Sequence, residues 1–130
     1  MMNTQTAAKW FAGVLMVIGI LGFIPGIVNQ ASYLFGIISV NTIFNLIYII
    51  SGMAAWFSAE TYTASKIFFK IVGPIFLILA ILGMIGHGTL LNIFPNNIGD
   101  TILHIVFAFY ALLYGYGTMY TPSTAAPSTV

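Results

Sequence analysis

Residues 67–86 read Ile-Phe-Phe-Lys-Ile-Val-Gly-Pro-Ile-Phe-Leu-Ile-Leu-Ala-Ile-Leu-Gly-Met-Ile-Gly, and Lys70 carries the one charge among them. From Ile75 to Leu82 every side chain is apolar, so no face of the segment suits water. A helix needs roughly 20 such residues to cross a hydrocarbon core about 30 Å thick. A membrane β-strand would alternate apolar and polar residues, and this stretch does not. Lipid offers the backbone no hydrogen bonds, which leaves the helix as the conformation that satisfies its own groups.

Three more runs of this kind surround it: Trp10 to Val28, Asn41 to Ala59 and Ile98 to Gly117. The expected fold class is therefore an all-α membrane protein with four transmembrane helices. Residues 1–117 form one transmembrane domain, and 118–130 form a flexible Thr/Ser/Pro/Ala-rich tail. The first run closes on Phe23-Ile-Pro-Gly, which is no small-x-small cleavage site, so it reads as an uncleaved span. Pro74, after Gly73, is expected to kink the third helix or end a short first turn.

Composition points the same way. Of 130 residues, 60% are hydrophobic and 4% charged, against about 25% charged in a soluble domain. That balance excludes a water-soluble globule and intrinsic disorder. Three lysines without an arginine cannot neutralise a phosphate backbone, which excludes nucleic acid as a partner. The chain has no cysteine, so disulfides, thiol catalysis and cysteine metal sites are absent. It shows no phosphate-binding loop, metalloprotease His pair or nucleophile elbow, so no enzyme activity, cofactor or metal is expected. Lys9 precedes the first run, and Lys66 and Lys70 open the third, while the other two connections lack lysine. The positive-inside rule then places both termini and the middle connection in the cytoplasm, in a multi-pass protein of the cell inner (plasma) membrane.

The two halves of the chain resemble each other. Laid without a gap over Leu90 to Ala108, the segment Leu34 to Gly52 matches Leu34 to Leu90, Ile37 to Ile93, Asn41 to Asn97 and Ile49 to Ile105. Upstream, Ile20-Leu-Gly-Phe-Ile is similar to Ile81-Leu-Gly-Met-Ile. Each half, about 10–59 and 67–117, would be a helical hairpin, and two spans per half give the halves one orientation. A parallel repeat about the membrane normal follows.

The order Leu-Gly-Phe-Ile-Pro-Gly (21–26), Leu-Phe-Gly-Ile (34–37) and Val-Asn-x-x-x-Asn (40–45), followed by Asn97-x-x-Asp100-Thr-x-x-His104, resembles a bacterial family of four-helix membrane proteins. That family is catalogued as domain-of-unknown-function family 4383. The resemblance covers residues 14–115, implies the four-span fold and implies no activity. The family pattern Asn-x-x-x-Asn-x-x-His is departed from at Phe44 and Tyr48, where it has His, and at Thr101, where it has Asn.

The residues with chemistry to offer are Asn41, Asn45 and Tyr48 on the second span and Asn97, Asp100, Thr101 and His104 on the fourth. Their spacings of three and four place each set on one helical face. Asp100 and His104, one turn apart, are able to share a proton. One reading makes the cluster a binding site for a small polar ligand or a proton relay. The other makes Asn41 and Asn97 helix N-caps, with Asp100 completing a capping box, and makes Asn45, Thr101 and His104 interhelical hydrogen-bonders. If the second and fourth spans face each other, Asn41, Asn45 and Tyr48 should approach Asn97, Thr101 and His104. The glycines at 19, 22, 26, 83 and 86 read as packing contacts within the molecule. The leading expectation is a structural, accessory or scaffold subunit whose partners are the lipid bilayer and either a larger membrane complex or a second copy. The alternative is a small transporter, channel or proton-linked binding protein using the polar cluster.

Overall fold

The computed structural model describes residues 2–117, so the tail expected at 118–130 lies outside the described residues. Helix α1 (Thr4–Leu21) leads into a hairpin of β1 (Tyr33–Leu34) and β2 (Ile38–Ser39), then α2 (Thr42–Ser58). Helix α3 (Tyr62–Ile85) leads into a second hairpin, β3 (Thr89–Leu90) and β4 (Phe94–Pro95), then α4 (Ile98–Tyr116). The fold is mostly helical. Three helices, α1, α3 and α4, are long and apolar enough to cross a membrane; α2, with 17 residues, is apolar but shorter.

Side-chain caps set where the helices begin. Asn3 accepts from Thr6 N, Asn41 from Ile43 N and Phe44 N, Thr61 from Ala64 N, and Asn97 from Asp100 N. Asn3 opens α1 earlier than the apolar run suggests, and the helix ends at Leu21, with Gly22 as its cap, rather than running on to Val28. Pro25 follows at a position no helix can continue through unkinked. Lys9, expected before the first span, consequently sits inside α1, and Lys66 and Lys70 sit inside α3.

Pro74 neither ends α3 nor splits it; the helix is continuous across it. Proline has no N–H, so the Lys70 carbonyl one turn earlier loses its helical donor. The Tyr116 hydroxyl of α4 donates to that carbonyl at 3.0 Å. A neighbouring helix thus supplies the missing bond, as membrane helices require.

Small residues bring each helix onto its sequence neighbour. Gly52 of α2 lies against the backbone of Ala12 and Met16, and a Cβ on Gly115 of α4 would stand 2.8 Å from the Lys70 nitrogen. Gly26 faces open space, so the 22/26 step is not a packing motif here. The α1–α2 and α3–α4 pairs meet on an aromatic core. The Phe11 ring stands edge-on to Phe69 at 5.5 Å and Phe107 at 5.4 Å and stacks on Tyr110 at 5.6 Å. The outside is covered by apolar side chains such as Val17, Ile50, Ile78 and Phe109.

The hairpins depart from the all-α expectation. The first pairs Tyr33 with Ser39 and Leu34 with Ile38; the second pairs Thr89 with Pro95 and Leu90 with Phe94. Phe35 and Gly36 at one tip, and Leu91 and Asn92 at the other, are left-handed. Two such residues in succession make a tight turn that suits strand twist, closed by Ile37 N to Leu34 O at 3.1 Å and Ile93 N to Leu90 O at 3.0 Å. Strands of two residues are too short to leave an alternating signal in a sequence. Both hairpins lie at one end of the bundle. The other end gathers the lysines: Gln5 Nε2 donates to Glu60 O at 3.0 Å, and Lys66 Nζ to Gly117 O at 3.3 Å.

Candidate polar site at the hairpin end

Asn97 and Asp100 form the centre of the site. The Asp100 carboxylate accepts from Asn97 N at 2.8 Å while Asn97 Oδ1 accepts from Asp100 N at 2.9 Å, a full capping box. The same carboxylate reaches the first hairpin, accepting from Ser39 N at 3.1 Å and from the Ser39 hydroxyl. Asn97 Nδ2 donates to Ile37 O at 2.7 Å. A Cβ on Gly99 would strike the Ile37 backbone, so glycine is what lets the hairpin approach the helix. One helix N-terminus therefore holds a hairpin that lies 60 residues away in sequence.

Deeper in the bundle the Tyr48 hydroxyl meets His104 Nε2 at 3.0 Å. The imidazole is 1% exposed and lies among the rings of Phe44 and Phe76. Its Nδ1 is buried without a hydrogen-bond partner, whichever tautomer is present. The expected proton-sharing between Asp100 and His104 is absent among the described residues: Asp100 is engaged by Ser39 and Asn97, and His104 turns to Tyr48.

Asn45 and Thr101 also behave differently from expectation. Both are buried, but each faces its own helical pair and not the other half. The Asn45 side chain lies over Gly22 of α1, and Thr101 Oγ1 lies over Gly83 of α3. Three residues further on, Tyr48 and His104 point across to each other. A three-residue step leaves a side chain about 60° round a helix, enough to pass from the seam within a pair to the seam between pairs. Asn41 serves as the N-cap of α2 and takes no part in the Tyr48–His104 contact.

Two residues of the site escaped the sequence reading. Ser39 belongs to it through Asp100, and Asn96, also buried, donates to Thr101 Oγ1 at 2.9 Å. The Asn96 Oδ1 has no partner. The signal available for Asn96 was its place beside Asn97, where the asparagine pair interrupts an apolar stretch. Asn96, Asn97, Thr101, His87 and Met84 are among the residues lining an open cleft of about 350 Å³. Among the described residues, no three His, Asp or Glu side chains gather as a metal site would require.

Apolar helices with an exposed apolar surface and a buried polar cluster between them define a small helical membrane protein. The family model for Domain of unknown function (DUF4383) matches residues 5–117, and the chain belongs to that family. No curated protein and no solved structure matches the chain.

Proposed function

We propose that this protein is a non-enzymatic four-span membrane protein acting as a scaffold or accessory subunit, and that its polar cluster holds the molecule together. One observation carries the reading. The Asp100 carboxylate, the Tyr48 hydroxyl and the Thr101 hydroxyl, all buried, are each engaged by another group of this chain. Their bonding serves contacts within the chain; among the described residues the buried polar side-chain atoms without a partner are Asn96 Oδ1 and His104 Nδ1. The interaction area that remains is the apolar outer surface of the helices, open to lipid or to another membrane protein. Purification in a mild detergent tests this: the protein is expected to elute with a larger complex or as an oligomer. A lone monomer under those conditions overturns the subunit role.

The shared spacing of the two hairpins, with equal registers and left-handed tips, supports a parallel repeat of two helical pairs. The lysines at the opposite end support cytoplasmic termini in the plasma membrane. In a chain without cysteine, Thr63→Cys and Gln30→Cys should label from opposite sides of the membrane. Labelling from one side sinks the four-span topology.

A second reading, ligand binding or proton-linked transport, is favoured by the cleft at Asn96, Asn97 and Thr101. Proteoliposomes loaded with a pH-sensitive dye separate the two. The scaffold predicts no proton flux above that of empty vesicles, and a flux abolished by His104→Ala would establish transport instead.

A further inference from the structure

We propose that the two β-hairpins are lipid-embedded elements and not aqueous loops: Phe35 and Ile37 of the first, and Leu91 and Ile93 of the second, enter the hydrocarbon boundary of the leaflet at that end of the bundle. The inference rests on the membrane reading given above. These four side chains are 65%, 62%, 63% and 69% exposed and occupy corresponding positions in both hairpins. Leu34 and Leu90, their neighbours, are buried and anchor each hairpin to the bundle. Large apolar groups pointing outward from both turns would be costly in water and are at home in lipid.

Charge and length agree. No charged residue lies between Lys9 and Glu60, or between Lys70 and Asp100, so neither hairpin carries one. Helix α2 has 17 residues, about 26 Å at 1.5 Å per residue, against a hydrocarbon core of about 30 Å. The first hairpin lies at its N-terminus and carries exposed apolar side chains there. Exposed apolar side chains also follow on α4, at Ile98, Ile102 and Phe109.

Non-helical backbone enters a membrane only where its polar groups are satisfied. Here they are. Val40 N donates to Ser32 O at 2.8 Å and Asn96 N to Gly88 O at 3.0 Å, beside the turn bonds already described. At the edge of the first hairpin, Asp100 accepts from Ser39 N and Asn97 donates to Ile37 O. These are the groups that a bare edge would expose to lipid. The capping box of α4 thereby serves as the partner for an immersed hairpin.

The test uses single nitroxide labels in phosphatidylcholine–phosphatidylglycerol proteoliposomes, at Ile37→Cys and Ile93→Cys in turn. Collision rates are read with oxygen, which concentrates in lipid, and with a water-soluble nickel chelate. The expected result is an oxygen-to-nickel ratio at both sites several-fold above that of Thr63→Cys and close to that of Ile81→Cys, at the outer surface of α3. Nickel access equal to Thr63→Cys overturns the inference, and low access to both reagents overturns it too, because it signals protein contact such as a second copy. Nickel access at Ile81→Cys would instead unseat the membrane reading itself. Adding Asp100→Ala should raise nickel access at position 37 and leave position 93 unchanged; no change at 37 removes the role given to Asp100.

Discussion

Position 44 of α2 and position 100 of α4 occupy the same place, the third residue of a helix that follows a hairpin. In the second half this residue is Asp100, and it meets the first hairpin through Ser39. In the first half it is Phe44, and it meets the second hairpin through Phe94, ring to ring at 5.2 Å. Where Ser39 stands in one hairpin, Pro95 stands in the other, with no N–H to donate. One junction is thus polar and charge-assisted, the other aromatic. The difference shows that a hairpin can be fastened to a neighbouring helix by either means, provided the two sides change together. A carboxylate needs donors, and a proline strand supplies none.

The comparison can be broken by mixing its two solutions. Phe44→Asp places a carboxylate beside the Phe94 ring at a half-buried position, and should lower stability by about 2–3 kcal/mol, below the scale of a fully buried unpaired charge. Adding Pro95→Ser should recover part of that loss in a reversible unfolding titration in detergent. No recovery would mean that the polar junction depends on more than its two partners.

Asp100→Ala removes the acceptor for Ser39 and for Asn97 N. It should cost about 2–3 kcal/mol, since bonds to a charged group are worth more than neutral ones. In a Ser39→Ala background only part of this cost should vanish, because the hydroxyl bond is already gone while the backbone N–H of residue 39 and Asn97 N still donate to the carboxylate. Equal costs in both backgrounds would show that the Ser39 hydroxyl adds nothing to the junction beyond the backbone bond at residue 39.

The smallest effect is expected where the halves meet directly. Tyr48→Phe leaves both nitrogens of His104 without a partner and should cost about 1 kcal/mol, as interhelical hydrogen bonds in membranes commonly do. His104→Ala should lower stability on a similar scale, to about 2 kcal/mol with the lost ring packing. A Tyr48→Phe variant as unstable as Phe44→Asp would mean that the seam, and not the hairpin junction, holds the halves together.

Much of the fold was legible because lipid simplifies the reading. Apolar runs long enough to span, with Asn41 and Asn97 at their edges, gave α2 and α4 to within a residue. The start of α1 was less legible: Thr4 and Gln5 look like solvent residues, and only the cap on Asn3 carries the helix back to them. The continuity of α3 through Pro74 was not legible, since it depends on Tyr116 reaching the Lys70 carbonyl from another helix. The capping box could be read from the Asn97-to-Asp100 spacing, which is local. Ser39 as the other partner of Asp100 could not, because 61 residues separate them.

The sequence by itself determined that the chain is apolar enough for a membrane, that it is helical, where α2 and α4 begin, and which of their residues are polar; α1 and α3 begin earlier, at Thr4 and Tyr62, than their apolar runs. Those properties depend on residue type and on spacings of three or four, which a helix converts directly into faces. The tertiary structure alone decided which seam each polar residue faces. Asn45 and Tyr48 share one face by spacing, yet the tight approach of α1 at Gly22 takes Asn45, while α4 takes Tyr48. It also decided that the connections are hairpins, since a two-residue strand is stabilised by the helix end it lies against and by nothing in its own sequence period.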